Sequence, residues 1–182
     1  HSDSSAASDV YKRQIEDIFT IIKIKMGEIY IVPTPIGNLG DFTYRSEEVL
    51  NNVDKIYAED TRNSKKLLLK YKISTPLVSY HQYNEHKITD FVINEILEKK
   101  ISIALISDAG TPGISDPGFL LVNKAKENNI NVFCLPGSTS IIPALIQSGF
   151  ATDEFSFYGF LPHKKGRLSL IHISEPTRLE RI

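Results

Sequence analysis

A single cysteine, Cys134, among 182 residues leaves no internal disulfide framework and no multi-cysteine zinc site. No stretch approaches the roughly 18–20 consecutive apolar residues of a membrane-spanning helix. The first residues lack a basic segment leading into a long apolar run and a small-residue cleavage site, so no secretory signal is expected. These absences favour a reducing cytoplasm. Charge of one sign is missing too: 21 Lys plus Arg against 22 Asp plus Glu give a net charge of −1, which excludes a general polyanion-binding surface. No G-x-G-x-x-G follows the first strand, no G-x-x-x-x-G-K-[ST] is present, and no G-x-S-x-G occurs. A standard dinucleotide site, a P-loop and a hydrolase nucleophile elbow are therefore not expected.

What is there is globular. The chain is 41% hydrophobic and 24% charged at a length suited to one ordinary domain with a real core, which excludes wholesale disorder. The neutral average hides a local bias. Arg62, Lys65, Lys66, Lys70 and Lys72 follow Thr61 with no acid among them, and His163-Lys164-Lys165-Gly166-Arg167 forms a second cluster. Such patches either hold a specific polyanion by local contacts or are solvated helix and loop charges.

The two ends differ from the middle. Residues 1–26 begin Ser- and Ala-rich, and residues 168–182 interrupt the pattern where another element should start. Both read as sequence foreign to the fold, of the adapter or vector kind, with genuine low-information tails as the alternative. Met26, the only methionine, sits where a natural start would.

From Gly27 onward short apolar runs alternate with amphipathic ones. Strands are expected at Glu28–Thr34, Lys55–Ala58, Pro76–Tyr80, Ile101–Ser107 and Asn131–Leu135, with a final one at Phe155–Phe160. Helices are expected over Thr43–Val53, from the Asp60-Thr61 cap to about Tyr71, and over Glu85–Lys100, Asp116–Asn128 and Ser138–Ser148. Continuous apolar strands between helices indicate an α/β domain: about five mainly parallel strands with helices on both faces.

Ligands of such sheets bind beyond the carboxyl ends of the strands, near a topological switch point. Three strand ends are rich in Gly, Pro, Ser, Thr and Asp: Pro33 to Asp41, Ser107 to Gly118, and Leu135 to Ser140. Singly, each is an ordinary turn or cap, and Asp60 or Asp116 before a helix is ordinarily an N-cap. Together they point to a binding site. His81 and His86, beside Tyr80 and Tyr83, match no common metal spacing and read as loop residues. Cys134, inside an apolar strand, reads as core.

Five strings at these loops occur in order: Ile31-Val32-Pro33-Thr34-Pro35-Ile36-Gly37-Asn38-Leu39; Ala58-Glu59-Asp60-Thr61-Arg62; Ser107-Asp108-Ala109-Gly110-Thr111-Pro112 with Asp116-Pro117-Gly118; Leu135-Pro136-Gly137; and Gly159-Phe160-Leu161-Pro162. Over about residues 27–167 the chain resembles the bacterial small-subunit ribosomal RNA 2′-O-ribose methyltransferases, a branch of the tetrapyrrole methylase superfamily. The resemblance implies S-adenosylmethionine as donor, a cytidine ribose in the decoding region of 16S ribosomal RNA as acceptor, a two-domain chain and a homodimer. By position, Pro35, Asp108, Ala109, Gly110 and Thr111 would line the donor site, with Ser115, Asp116, Pro136 and Gly137 in the same cleft.

An alcohol is a poor nucleophile, so a base or acceptor for its proton is sought among Asp108, Glu59 and Asp60, none of them assigned by the motif. Arg62, Lys65 and Lys66 are placed to receive RNA phosphates, and the mechanism requires no metal. The implied organisation is a tail (1–26), an N-terminal methylase domain (27–153), the start of a truncated second domain (154–167) and a foreign tail (168–182). With that second domain mostly missing, weak donor binding and little activity are expected, with apolar surface exposed. Three rivals stand beside this expectation: a methylase acting on a tetrapyrrole or other small molecule, a non-catalytic ligand- or RNA-binding fragment, and a metal-dependent hydrolase using Asp108 and Asp116.

Overall fold

A computed structural model describes residues 27–160. The tails at 1–26 and 168–182 and the basic cluster from His163 to Arg167 lie outside the described residues. The strands are β1 (Ile29–Ile31), β2 (Lys55–Ala58), β3 (Leu77–Ser79), β4 (Ile103–Ile106) and β5 (Val132–Cys134). The helices are α1 (Tyr44–Asn52), α2 (Thr61–Lys70), α3 (Glu85–Lys99), α4 (Phe119–Glu127) and α5 (Ile141–Gln147). A single 3-10 turn, Leu39–Asp41, was not expected; the Asn38 side chain accepts from the Gly40 N–H and holds it.

The strands form one five-stranded sheet in the order β3-β2-β4-β1-β5, every pairing parallel. Alternate residues feed opposite layers. Tyr30, Val32, Ile56, Ala58, Ala104 and Ile106 pack with Leu50 of α1 and with Leu67 and Leu68 of α2. Ile29, Ile31, Tyr57, Ile103 and Leu105 pack with Val92, Ile93 and Ile96 of α3 and with Leu121 and Ala125 of α4. Central β4 is buried throughout, whereas the edge strands β3 and β5 are at most half-buried. The connection leaving β1 crosses β4 to reach β2, and the one leaving β4 crosses β1 to reach β5. The two chain paths diverge on opposite faces, which makes the β4/β1 carboxyl ends the switch point.

A partly buried ion pair ties the sheet to a helix. Lys55 Nζ, on β2, donates to both Glu95 carboxylate oxygens on α3 at 2.6 Å, and Lys99 Nζ adds a third contact at 2.9 Å. The Lys55 hydrogen bond lowers the Glu95 pKa despite its burial. The native state therefore binds this proton less readily than the unfolded chain. The pair's stabilisation is complete above the unfolded value near 4.5 and is lost as pH falls below it. Lys55→Met is expected to cost about 2 kcal/mol at neutral pH, less than for a fully enclosed pair because the Lys55 side chain keeps 30% exposure. Urea unfolding at several pH values checks this: the deficit should shrink below roughly pH 5.

Three expectations are corrected. The helix expected from Asp116 begins at Phe119. Pro117 keeps Asp116 out of the helical region, and Gly118 turns the chain at φ 141°, where a Cβ would lie 2.8 Å from Leu105 Cδ2. Asp116 is therefore no cap, whereas Asp60 is one. Cys134 is exposed rather than core, because β5 is an edge strand and the α5 helix after it buries none of its residues. Phe155–Phe160 forms no strand; an apolar run becomes a strand only by pairing, which its local sequence does not specify.

The chain divides into two units, His1–Gly149 and Phe150–Ile182. In the second, residues 150–160 have no regular structure and expose Phe150, Phe155, Phe157, Tyr158 and Phe160.

Candidate active site

The three Gly- and Pro-rich loops meet beyond the switch point. Thr34 and Gly110 exchange both backbone hydrogen bonds at 2.9 Å, an isolated antiparallel bridge joining the loop after β1 to the loop after β4. The Thr34 hydroxyl donates to the Ser107 carbonyl at 3.0 Å, and the Ser107 hydroxyl to the Gly110 carbonyl at 3.3 Å. The loop after β5 is tied to both others. Thr111 Oγ1 donates to the Ser138 carbonyl at 3.4 Å, and Ser138 Oγ donates to the Asp41 carbonyl at 3.1 Å. Gly137 lies so close to Pro33 that a Cβ would stand 2.8 Å from the Pro33 Cβ.

Pro35, Asp108, Ala109, Gly110, Thr111, Pro136 and Gly137 thus sit on three loops bonded or packed to one another. Asp108, Ala109, Pro136 and Gly137 are exposed on their rim. Ser115 is exposed farther along the second loop, in a left-handed backbone at φ 63°. A Cβ on Gly37 or Gly113 would meet nothing within 4 Å, so both loops border open space.

The carboxylates at the ends of β2 and β4 have separate environments. Asp60 caps α2, its Oδ1 accepting from the Arg62 N–H at 2.8 Å. The Arg62 guanidinium grips both oxygens at 3.1 and 2.8 Å, which pulls the Asp60 pKa down to about 2. That leaves Asp60 a weak base and Arg62 already engaged. Asp108 accepts from the Asp60 N–H at 3.3 Å through Oδ1 and from the Asn63 amide at 3.1 Å through Oδ2. Burial raises Glu59, helped by the charges of Asp116 and Asp108 and opposed by a hydrogen bond from the Asp108 backbone. Burial and Asp108 also raise Asp116, opposed by the Ser107 hydroxyl.

Raised carboxylates oppose folding at neutral pH. The native state holds the Glu59 proton more readily than the unfolded chain, so stability falls as pH rises between the unfolded value and the higher folded one. Glu59→Gln is expected to stabilise the fold at pH 7 by about 0.5 kcal/mol, a gain limited by solvent screening. Thermal unfolding at pH 7 and pH 4 checks it, because the gain should disappear in acid.

Beside Asp108 opens a cavity of about 270 Å³, walled by Thr34, Pro35, Leu39, Asn63, Ser64, Lys66, Leu67, Ser107 and Asp108. Lys66 belongs to its wall, and Lys65 is exposed on α2 outside it. Asn63, Ser64 and Thr34 were not singled out from sequence. The available signal was position, since the first turn of a helix that follows a strand end faces the switch point. His81 builds a turn, its Nδ1 accepting from the Tyr83 N–H at 3.2 Å. Among the described residues no group of three or more His, Cys, Asp or Glu side chains is arranged to hold a metal ion. No helix among them is long and apolar enough to cross a membrane.

The parallel α/β sheet carries three interlocked loops at its switch point, and residues 28–172 match the Tetrapyrrole (Corrin/Porphyrin) Methylases. The chain belongs to that family. It is 55% identical over 139 residues to the Ribosomal RNA small subunit methyltransferase I of Synechocystis sp., covering 76% of this chain and 50% of the relative. The protein of the same name from Vibrio cholerae is 50% identical over 152 residues, 82% of this chain and 52% of the relative. The chain thus spans about half the length of these curated relatives.

Among solved structures, uroporphyrin-III-C-methyltransferase from Thermus thermophilus superposes with a TM-score of 0.52 at 22% identity, over 69% of this chain and 53% of that one. A cobalt precorrin-4 methyltransferase gives 0.53 at 17%, over 68% and 51%. These two likenesses establish the fold.

Proposed function

We propose that this chain is the donor-binding half of an S-adenosylmethionine-dependent enzyme that methylates a cytidine ribose 2′-hydroxyl in the decoding region of 16S ribosomal RNA. The enzyme would act in the cytoplasm as a homodimer. The observation that carries the proposal is the locking of three strand-end loops at one switch point, with Asp108 on their rim and basic α2 beside it. The relatives named for ribosomal RNA methylation, at 50–55% identity, favour RNA over a tetrapyrrole as acceptor. The tetrapyrrole enzymes share only the fold.

The donor supplies an electrophilic methyl group on a sulfonium. The donor-site residues fit it: Ala109 and Gly110 have little or no side chain to obstruct close approach, while the hydroxyls of Thr111 and Ser115 suit its polar groups. Pro136 and Gly137 close the same cleft from the third loop. Alignment of acceptor oxygen and methyl can supply much of the acceleration. Asp108 accepts the proton of the ribose hydroxyl, a role its position supports better than that of Asp60, which Arg62 holds. Lys65 and Lys66 are the cations of α2 that receive RNA phosphates, with Arg62 contributing through its exposed face.

Calorimetric titration with S-adenosylmethionine tests the donor assignment. Weak one-to-one binding, with Kd on the order of 0.1–1 mM, is expected from a cleft present only in part. No heat up to several millimolar would contradict the assignment. Submicromolar binding would contradict the partial cleft.

A further inference from the structure

We infer that the cavity between Asp108 and α2 receives the ribose and phosphate of a single unstacked nucleotide of the acceptor strand. The inference rests on the methyltransferase reading and names the acceptor subsite within it. At about 270 Å³ the cavity is smaller than the roughly 300–1,000 Å³ of pockets that enclose whole drug-sized ligands, so it suits part of a nucleotide better than an entire donor molecule. Its walls supply one cation, Lys66, and one carboxylate, Asp108.

Much of the remaining polar wall is committed: the Thr34 hydroxyl already donates to the Ser107 carbonyl of the neighbouring loop, and the Ser107 hydroxyl to the Gly110 carbonyl of its own. Lys66 makes no ion pair among the described residues. Ser64 is 5% exposed, and its hydroxyl has no hydrogen-bond partner among them. A buried hydroxyl left unsatisfied ordinarily marks a missing partner. The free groups are therefore an ammonium and a hydroxyl on α2, beside a carboxylate whose two oxygens each accept one hydrogen bond, from the Asp60 N–H and the Asn63 amide, and keep further acceptor capacity. That set matches a phosphate at one end and a ribose hydroxyl at the other. Pro35 and Asp108 belong both to this cavity and to the proposed donor site, so an occupant would lie against the donor, as in-line transfer requires.

The cavity lies wholly within the first unit, so the chain as it stands is the reagent. The ¹⁵N-labelled chain is titrated with cytidine 5′-monophosphate, and amide shifts are followed by NMR. The amides of Asn63 to Leu67 and of Asp108 are expected to move. Binding should weaken about tenfold in Lys66→Ala and largely return in Lys66→Arg, and it should weaken several-fold for the 2′-deoxy nucleotide. Lys66 is exposed, so neither variant endangers the fold.

S-adenosylmethionine should shift the strand-end loops without displacing the nucleotide. Shifts that leave α2 still, or none at all, would overturn the inference while the donor result stands. Competitive displacement would assign the cavity to the donor and overturn it too. A donor that moves no loop while the nucleotide still moves α2 would overturn the methyltransferase reading and the acceptor role with it.

Discussion

Asp108→Ala is expected to lower methyl transfer by about 10²–10³-fold, the range for loss of a positioned proton acceptor. The fold should survive, because Asp108 is exposed and its bonds are to the Asp60 N–H and the Asn63 amide rather than to the core. The assay is tritium transfer to 30S subunits by a chimera in which residues 27–160 replace the matching half of the Synechocystis relative. Asp60→Asn in the same chimera should lose far less turnover, because Asn still caps α2 and only the exposed Arg62 pair is given up. Equal losses in both variants would contradict the distinction between them. Asp108→Ala also removes a like charge beside Glu59 and Asp116, so both should titrate at lower pH in the variant. Carboxyl carbon NMR reads that shift directly.

Gly137→Ala is the second large effect. The added Cβ would stand 2.8 Å from the Pro33 Cβ and 3.0 Å from its Cγ, inside any normal contact. Pro33 is buried in a rigid ring that the first loop needs, and Gly137 precedes Ser138, whose hydroxyl holds the Asp41 carbonyl. The loops must spread, which is expected to destabilise the chain by about 1–3 kcal/mol. Donor affinity should fall at least about tenfold as Thr111 and Ser138 separate. Urea unfolding and calorimetry check the two effects. An unchanged donor affinity would mean that the third loop is no part of the donor site.

The layered α/β sheet was legible because its strands are continuous apolar runs, which only a sheet covered on both faces accommodates. The start of α2 was legible because Asp60 has the side chain to cap it. The strand order was not: nothing in the local pattern of β1 or β2 says that β4 lies between them. Cys134 and the segment Phe155–Phe160 were misread for one reason. An apolar run signals a tendency to be covered, and coverage depends on what packs over it.

At the site, the loops were visible as Gly and Pro punctuation, but the bonds joining them were not. The Thr34–Gly110 bridge and the contact between Asn63 and Asp108 link segments tens of residues apart. The cavity they enclose follows from topology, which is why Asn63 and Ser64 passed as ordinary residues of a basic helix.

Everything proposed for the three loops rests on this domain's serving methylation of ribosomal RNA at a ribose. Its most direct test is to incubate the chimera with tritiated S-adenosylmethionine, 30S subunits and, separately, a tetrapyrrole acceptor, and to locate the label by nuclease digestion. One methyl per subunit is expected, on the ribose of a decoding-region cytidine, and none on the tetrapyrrole. Label on the tetrapyrrole, or on an RNA base, would contradict it.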